Sequence, residues 1–213
     1  VFNNQRKTAD YPLDYGNFLY QNQEVSSGYN AEQAKKVLED GGWTYIKNRW
    51  KKNISGYTRT LKLKLAVTSD NEARVRVAET IKEQLKNIGI EVTINKITDS
   101  QYGKYIENKD YQMLLTGVYT SYTPDLTYYF LQGNIFNYES EKMNELMQKS
   151  LIIKNTKELS EIYQKIYSQY KEDVPFIGLY RNKNITLTSQ SLTAKITPNN
   201  YTTYYNLESW YRK

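Results

Sequence analysis

The chain has 213 residues, with 29 Lys or Arg against 23 Asp or Glu, and its formal charge is +6. It contains no histidine and no cysteine. This composition excludes thiol nucleophiles, disulfides, Ser-His-Asp triads and zinc sites built from histidine or thiolate ligands. Any catalysis would have to use carboxylates, Lys or Tyr. The length suits one large domain or two small ones, with enough chain to bury a core.

The distribution of charge and hydropathy narrows the class of protein further. The Lys and Arg residues are scattered, and the densest basic stretch, residues 47–52, is short. Nucleic-acid binders usually cluster such residues, so we interpret the positive charge as a solvated surface. No apolar run reaches the roughly 18 residues of a membrane helix and no secretory leader opens the chain, so we expect a soluble protein. The absence of cysteine fits an exported protein.

The amino-terminal segment, residues 1–60, predicts one short helix within otherwise irregular structure. Asn30 begins a capping-box pattern and Gly41 supplies a stop, so residues 31–40 are expected to be helical. The chain before this helix is expected to be extended and rich in loops. Residues 43–60 are expected to form a loop or a weak hairpin.

A strand, a helix and a second strand are predicted in residues 61–94. Apolar residues alternate over residues 61–67, which is the period-2 pattern of a half-buried strand. Ser69, with a glutamate three residues later, forms a second capping-box pattern before a helical apolar stripe that Gly89 ends. The alternation resumes at once in residues 90–95. This order of elements predicts a right-handed parallel crossover.

A third strand and a loop complete the predicted sheet. Asp99 is expected to cap a short helix, and residues 111–118 have the apolar pattern of a largely buried strand. The loop that follows leaves the end of a strand in an open α/β sheet, where ligands commonly bind. Pro124 suits the first turn of a helix over residues 125–131, with Asp125 near the positive end of that helix.

Two longer helices and two strands are predicted after this loop. The helices are expected over residues 140–153 and 156–173, and their apolar stripes are typical of ordinary core packing. The residues expected to face inward are Met143, Leu146, Met147, Leu151, Leu159, Ile162, Tyr163, Ile166, Tyr167 and Tyr170. Pro175 ends the second helix, and strands are expected at residues 176–180 and 185–188 around a polar turn.

Four segments occur in a fixed order and spacing over roughly residues 10–188. They are Tyr29–Trp43 (YNAEQAKKVLEDGGW), Leu61–Ile94, Gly117–Asp125 and Pro175–Tyr180 (PFIGLY). In this order they resemble four parts of the family 5 extracellular solute-binding proteins, which deliver oligopeptides to ABC importers. Those parts are a helix with Gly-Trp, a strand-helix-strand, a cleft loop, and the strand after the last long helix. Four motifs in register are more specific than any one of them.

The resemblance implies the fold and the organisation of the chain. The expected fold is α/β, a type II periplasmic-binding-protein lobe whose mixed sheet has a parallel βαβ crossover flanked by helices. Family members are considerably longer, with a large amino-terminal lobe, so this chain is expected to be the carboxy-terminal lobe. Residues 1–60 would be a segment with a short helix and a loop, residues 61–190 the ligand-binding lobe, and residues 191–213 a tail that packs on the missing lobe.

The resemblance also implies a function. A peptide lies extended between two lobes, is bound mainly through its backbone, and is enclosed when the lobes close. No catalytic group, cofactor or metal is expected. The implied partners are a peptide ligand, an ABC permease and the missing amino-terminal lobe. The implied location is extracellular, on the outer face of the membrane, as a lipoprotein whose anchor is not in this chain.

The expected ligand-binding residues lie in the loop after the third strand. They are Gly117, Val118, Tyr119, Ser121, Tyr122 and Asp125. The family loop usually has Gly-Trp, two further residues and an aspartate that pairs with the amino terminus of the peptide. Here Val118 replaces the tryptophan and Ser121 the aspartate, and Asp125 could serve as the anchor only if the loop takes another path. In a second interpretation the loop is a plain strand-to-helix connection and Asp125 serves the helix end.

Two other classes of function remain open from the residues alone. A basic α/β module with many tyrosines could bind nucleic acid by stacking bases, although neither the ribonucleoprotein motif nor a basic stripe occurs. A glycosidase with a carboxylate pair is a second alternative, but no pair stands out among acids that lie mostly on polar helix faces. A nucleotide enzyme is disfavoured because neither a P-loop nor G-x-G-x-x-G occurs.

Overall fold

The computed structural model describes residues 8–9, 11–13, 17–19, 28–109, 111–120, 123–182, 186–193, 196–197, 199 and 202–212. The backbone divides into two compact units. The larger unit holds the described residues of Asp10–Gly178, and the smaller unit those of Phe2–Ala9 and Leu179–Lys213. The candidate functional site lies within the larger unit.

The larger unit contains both helices and strands. Its helices are α1 (Ala31–Asp40), α2 (Glu72–Asn87), α3 (Asp99–Asn108), α4 (Thr127–Phe130), α5 (Glu141–Ile152) and α6 (Thr156–Asp173). Its strands are β1 (Thr44–Ile46), β2 (Arg49–Ile54), β3 (Tyr57–Thr60), β4 (Lys62–Thr68), β5 (Glu91–Ile97) and β6 (Met113–Leu115). The smaller unit has a short antiparallel pair, β7 (Leu192–Thr193) with β8 (Tyr211–Arg212), and a 3-10 helix, Leu207–Ser209.

A parallel three-stranded sheet in the order β5-β4-β6 is the centre of the α/β part. The strand β4 pairs in parallel with both neighbours, and Leu65 lies opposite Ile94 on one side and Met113 on the other. The predicted parallel strand-helix-strand is thereby confirmed. All four residues from Leu65 to Thr68 are buried, because a central strand of a parallel sheet is covered on both faces. The parallel and antiparallel pairings of the described strands lie in separate sheets.

The segment before β4 is more regular than the sequence pattern predicted. Instead of a loop or a weak hairpin, β1, β2 and β3 form an antiparallel sheet in chain order. Its two turns each contain two consecutive residues with positive φ, Lys47-Asn48 and Ser55-Gly56, which suits the right-handed twist of a tight hairpin. Trp50 on β2 is fully buried in the core beside the parallel sheet, and this burial holds the meander in place.

Three predicted helix starts can be compared with the observed caps. The side chain of Asn30 accepts a hydrogen bond from the Gln33 backbone and begins α1 as predicted. The prediction that Ser69 caps α2 was wrong: Asn71 is the cap, and its side chain accepts from the Arg74 backbone. The cap of α3 is Thr98 and not Asp99, which is the first helical residue. In both corrected cases another side chain of suitable type lies next to the helix and competes for the same backbone donors.

The helices α4, α5 and α6 enclose a second core that is rich in aromatic residues. Tyr11 packs edge-on against Tyr167 and Tyr170, with ring centroids 5.3 and 5.2 Å apart. The predicted inward faces are confirmed for nine of the ten residues, which are buried or partly buried in this core. The exception is Leu151, which is 59% exposed because it lies in the last turn of α5, beside the polar connection to α6.

The two strands predicted after α6 are not observed. The helix ends at Asp173 as predicted, with Val174 in the left-handed region. Residues 176–180 form no strand, because the ring of Phe176 packs into the aromatic core and its carbonyl oxygen accepts a 2.9 Å hydrogen bond from the Tyr170 hydroxyl. Residues 186–188 likewise form no strand, and residues 183–185 of the predicted turn and strand lie outside the described residues.

Candidate ligand-binding loop at the carboxyl edge of the parallel sheet

The three parallel strands end together at one edge of the sheet. Their last residues are Thr68, Ile97 and Leu115, and the backbone N–H of Ser69 donates a 2.8 Å hydrogen bond to the Ile97 carbonyl oxygen. The helices α2 and α3 begin at the same edge, directly after β4 and β5. Strand carboxyl ends and helix amino ends therefore converge there, as they do in the ligand sites of open α/β sheets.

The connection from β6 to α4, residues 116–126, leaves this edge and is named the β6–α4 loop. Two tyrosines hold its first part from neighbouring helices. The hydroxyl of Tyr102 on α3 lies 2.5 Å from the Thr116 hydroxyl oxygen, and the hydroxyl of Tyr129 on α4 donates to the Tyr119 carbonyl oxygen. The loop is thus supported at the Thr116 side chain and the Tyr119 backbone, although residues 116–120 belong to no regular element.

Two side chains of this loop, those of Val118 and Tyr119, are exposed to solvent. Tyr119 is 99% exposed and Val118 is 38% exposed. Gly117 lies against the guanidinium of Arg74, and a Cβ added at Gly117 would come within 2.9 Å of Arg74 Nη2. Of the predicted ligand-binding residues, Gly117, Val118 and Tyr119 therefore lie consecutively on one accessible stretch. Ser121 and Tyr122 lie outside the described residues.

The strand that precedes this loop is at the edge of the sheet. In the order β5-β4-β6, the strand β6 pairs with β4 on one side only, and the described residues place no strand on its other side. An edge strand presents unpaired N–H and C=O groups to which an extended chain can add. In the part of the chain that the structure describes, this edge of β6 and the exposed residues Gly117, Val118 and Tyr119 adjoin one another.

Asp125 has an internal role in the observed structure. Its Oδ1 accepts hydrogen bonds from the backbone N–H of Thr127 at 2.9 Å and from the Thr127 hydroxyl at 2.6 Å. These contacts support the start of α4, as the second interpretation of the loop expected. Burial, and in second place the charge of Asp125, raise the pKa of Tyr163 above its ordinary value.

A pair of carboxyl groups lies near the start of α2 and α3. The hydrogen bond that protonated Asp99 donates to Asp70, and the negative charge of Asp70, raise the pKa of Asp99 above its ordinary value. The positive charge of Arg74 acts on Asp99 in the opposite direction. The described residues contain no group of three Asp, Glu, His or Cys that could hold a metal ion.

Sequence patterns did not reveal three residues that support the loop. They are Arg74, Tyr102 and Tyr129. The two tyrosines were hidden among 22 in the chain. Arg74 had only a weak signal: a cation in the first turn of a helix is electrostatically unfavourable, but Lys142 and Lys157 lie in the first turns of α5 and α6 as well. None of the helices in the described part of the chain is both long and apolar enough to cross a membrane.

The fold is α/β, with strand ends and helix starts meeting at one edge of a parallel sheet as in many ligand-binding proteins, and comparison with known proteins gives the family. A family model described as Bacterial extracellular solute-binding proteins, family 5 Middle, matches residues 1–138. The chain therefore belongs to this family. It is also 28% identical over 192 residues to the oligopeptide-binding protein AppA of Bacillus subtilis, a match that covers 86% of this chain and 35% of AppA.

Solved structures show the same fold. The structure of AppA from Bacillus subtilis in complex with a nonapeptide superimposes with a TM-score of 0.78 at 25% identity, covering 98% of this chain and 43% of that one. An oligopeptide-binding protein from Thermus thermophilus, complexed with a pentapeptide, gives a TM-score of 0.75 at 17% identity and covers 84% and 34%. NikZ from Campylobacter jejuni, in complex with Ni(L-His), gives 0.70 at 18% identity and covers 98% and 44%.

These comparisons confirm the predicted family and the predicted type II periplasmic-binding-protein fold. They support a substrate-binding role and not the alternative of a nucleic-acid module. The family is one of transport proteins that bind solutes outside the cell. The chain spans less than half the length of each of these relatives.

Proposed function

We propose that this chain is the carboxy-terminal lobe of the substrate-binding component of an ABC importer, and that it captures extracellular oligopeptides together with an amino-terminal lobe. The observation that carries the proposal is the outer edge of β6, on which the described residues place no strand, and its continuation into the supported and exposed residues Gly117, Val118 and Tyr119. An extended peptide can add to such an edge through backbone hydrogen bonds, largely independently of its side chains. The peptide complexes of AppA and of the Thermus thermophilus protein support this ligand class.

The aromatic side chains of the loop suit a peptide ligand. Tyr119 offers apolar area and a hydroxyl group at a modest cost in side-chain entropy. Tyr122 belongs to the same proposed site. Asp125 is the least favoured member, because the contacts of its Oδ1 with Thr127 already occupy that oxygen. The mechanism has no chemical step and uses no cofactor: the two lobes close around the peptide and release it to the permease.

The remaining partners follow from this proposal. The ABC permease accepts the peptide, and a lipid anchor outside this chain holds the protein on the outer face of the membrane. The tail, residues 191–213, packs against the amino-terminal lobe. The lobe itself comprises residues 61–190, preceded by the segment of residues 1–60.

The test compares the 213-residue chain with the longer polypeptide that includes the amino-terminal lobe. Isothermal titration calorimetry with a mixture of synthetic five- and nine-residue peptides is expected to show binding by the longer polypeptide and weak or no binding by the chain alone. The reason is that a site between two lobes draws contacts from both. Micromolar or tighter binding by the chain alone would show a self-contained site, and absence of binding by the longer polypeptide would overturn the ligand class. A DNA oligonucleotide titrated at low salt serves as the control for the nucleic-acid alternative.

A further inference from the structure

Arg74 occupies a position that is unfavourable for its charge. It lies in the first turn of α2, where its backbone N–H donates a 2.9 Å hydrogen bond to the side chain of the cap residue Asn71. The helix amino terminus carries a partial positive charge, so a cation in this turn costs stability. Contacts of the guanidinium can offset this cost.

The guanidinium of Arg74 has such a contact on each of two elements. Its Nη1 donates a 3.0 Å hydrogen bond to the hydroxyl oxygen of Thr68, the last residue of β4, which is only 4% exposed. Its Nη2 lies against Gly117 in the β6–α4 loop, where an added Cβ would come within 2.9 Å. The planar group therefore lies between the end of the central strand and the loop.

The same contact explains why residue 117 is glycine. Gly117 does not have a positive φ, so its backbone conformation is open to other residues. Among the described residues, the atoms that a Cβ would meet within 4 Å belong to Arg74. The space that a side chain would fill at this position is thus occupied by the guanidinium.

We propose that Arg74 is the positioning residue of the β6–α4 loop: its guanidinium, anchored on Thr68, fixes the backbone at Gly117 where a ligand binds. The inference rests on the proposed function, because a loop of fixed position lowers the entropy lost when an extended peptide adds to β6. Tyr102 and Tyr129 hold the loop at Thr116 and Tyr119, and Arg74 supports Gly117, one of the two residues between these points. A positive charge alone does not position the loop, because only the planar, forked guanidinium can contact both Thr68 and Gly117.

The experiment measures loop order without a ligand, by backbone ¹⁵N relaxation on the 213-residue chain. In Arg74→Ala and Arg74→Lys the order parameters of Gly117, Val118 and Tyr119 are expected to fall from roughly 0.85 to below about 0.6. The matched control is Arg76→Ala, which removes the same charge from an exposed position on the same helix. It is expected to leave the loop unchanged. Thr68→Val removes only the hydrogen-bond acceptor of the guanidinium, so a smaller fall in these order parameters is expected. This variant replaces Arg74→Ala in the test if Arg74→Ala does not fold.

A double-mutant cycle tests the contact itself. Gly117→Ala is expected to displace the guanidinium and lower the same order parameters, and to have no additional effect when combined with Arg74→Ala. Unchanged loop order in both Arg74 variants, an equal loss in Arg76→Ala, or additive effects of Gly117→Ala and Arg74→Ala would each overturn the proposal.

Peptide titration separates this inference from the proposed function. In the longer polypeptide, Arg74→Ala is expected to weaken binding of the five- and nine-residue peptide mixture by roughly tenfold, since the loop must be ordered on binding. If loop order falls but peptide affinity does not change, the loop is not the ligand site and the proposed function of these residues fails, while the positioning role stands. If peptides bind and loop order is unaffected, the proposed function stands and the role of Arg74 is overturned.

Discussion

The indole Nε1 of Trp50 donates a 2.6 Å hydrogen bond to the carbonyl oxygen of Ile88. Trp50 lies in the middle of the antiparallel meander, and Ile88 caps the end of α2 just before β5. The bond therefore joins the meander to the parallel strand-helix-strand unit within one core. It also satisfies a carbonyl group at a helix end, where the intrahelical partner is missing.

We expect Trp50→Phe to destabilise the chain by about 1–3 kcal/mol, because the buried Ile88 carbonyl loses its donor. Urea denaturation of both proteins measures the difference in the free energy of unfolding. Trp43→Phe is the matched control, because Trp43 packs at the margin of the same core and is only partly buried. A Trp50→Phe effect no larger than that of the control would show that the hydrogen bond contributes little.

A second contact between the same two parts involves Gly89 and Tyr45. Gly89 has φ +84, and an added Cβ would collide with the Tyr45 ring and lie 3.1 Å from the Asn48 carbonyl oxygen. Gly133 has the same φ of +84, but a Cβ there would meet no atom of the described residues within 4 Å. We expect Gly133→Ala to cost about 1–2 kcal/mol for the left-handed backbone alone, and Gly89→Ala to cost roughly 2 kcal/mol more. Thermal unfolding of the two variants tests the difference, and equal losses would contradict the collision with Tyr45.

The third prediction concerns Ser121, which the family resemblance places at the position of the ammonium anchor. A serine accepts a hydrogen bond worth roughly 1 kcal/mol, against about 1.5–3 kcal/mol for a charge-assisted bond to a carboxylate. We therefore expect the longer polypeptide to bind a free peptide and its acetylated form with affinities within about tenfold of each other. Ser121→Asp is expected to increase the preference for the free amine.

Calorimetric titration with the free peptide and with its acetylated form gives the two affinities. A loss on the order of a hundredfold on acetylation in the wild-type protein would show that an anchor exists elsewhere. Asp125 would then be the first candidate on this lobe, and the alignment of the loop with the family motif would be wrong. Asp125→Asn would test this, because it removes the charge and keeps an acceptor for Thr127.

The fourth prediction concerns the pH dependence of Asp99. The hydrogen bond and negative charge of Asp70 raise the pKa of Asp99 in the folded chain, so the folded state holds this proton more tightly than the unfolded state. The associated stabilisation is present below the ordinary aspartate pKa of about 3.9 and is lost as the pH rises through the raised value. We expect Asp70→Asn to return the pKa of Asp99 toward its ordinary value, measured by carboxyl ¹³C NMR titration. An unchanged titration in Asp70→Asn would exclude Asp70 as the cause.

Local sequence patterns predicted the elements whose faces are buried in a regular way. The alternation in β4 and β5, the stripe of α2, and the stripes of α5 and α6 all correspond to observed elements. They were predictable because burial on one face imposes a period on the sequence. Helix starts were less predictable, since neighbouring side chains such as Ser69 and Asn71 can cap equally well and local geometry selects one.

The candidate site was only partly accessible to such reasoning. Position in the chain, directly after a strand of an open sheet, predicted the loop of Gly117, Val118 and Tyr119, and family resemblance gave its expected ligand. The supports of this loop were not predictable, because Arg74, Tyr102 and Tyr129 come from three separate elements and meet only after these pack. The role of these residues in ligand binding stays a prediction.

The sequence by itself therefore determined the α/β class, the parallel crossover and the family, because hydrophobic periodicity and the order of the motifs are properties of the linear chain. The tertiary structure alone decided three further features: the regular meander held by Trp50, the irregular path of residues 176–180, and the contact of Arg74 with Gly117. In each case the deciding interaction is a hydrogen bond or a close contact between groups that become neighbours only after folding. A buried carbonyl or a space beside a glycine leaves no periodic signal in the sequence, since it depends on which elements become neighbours.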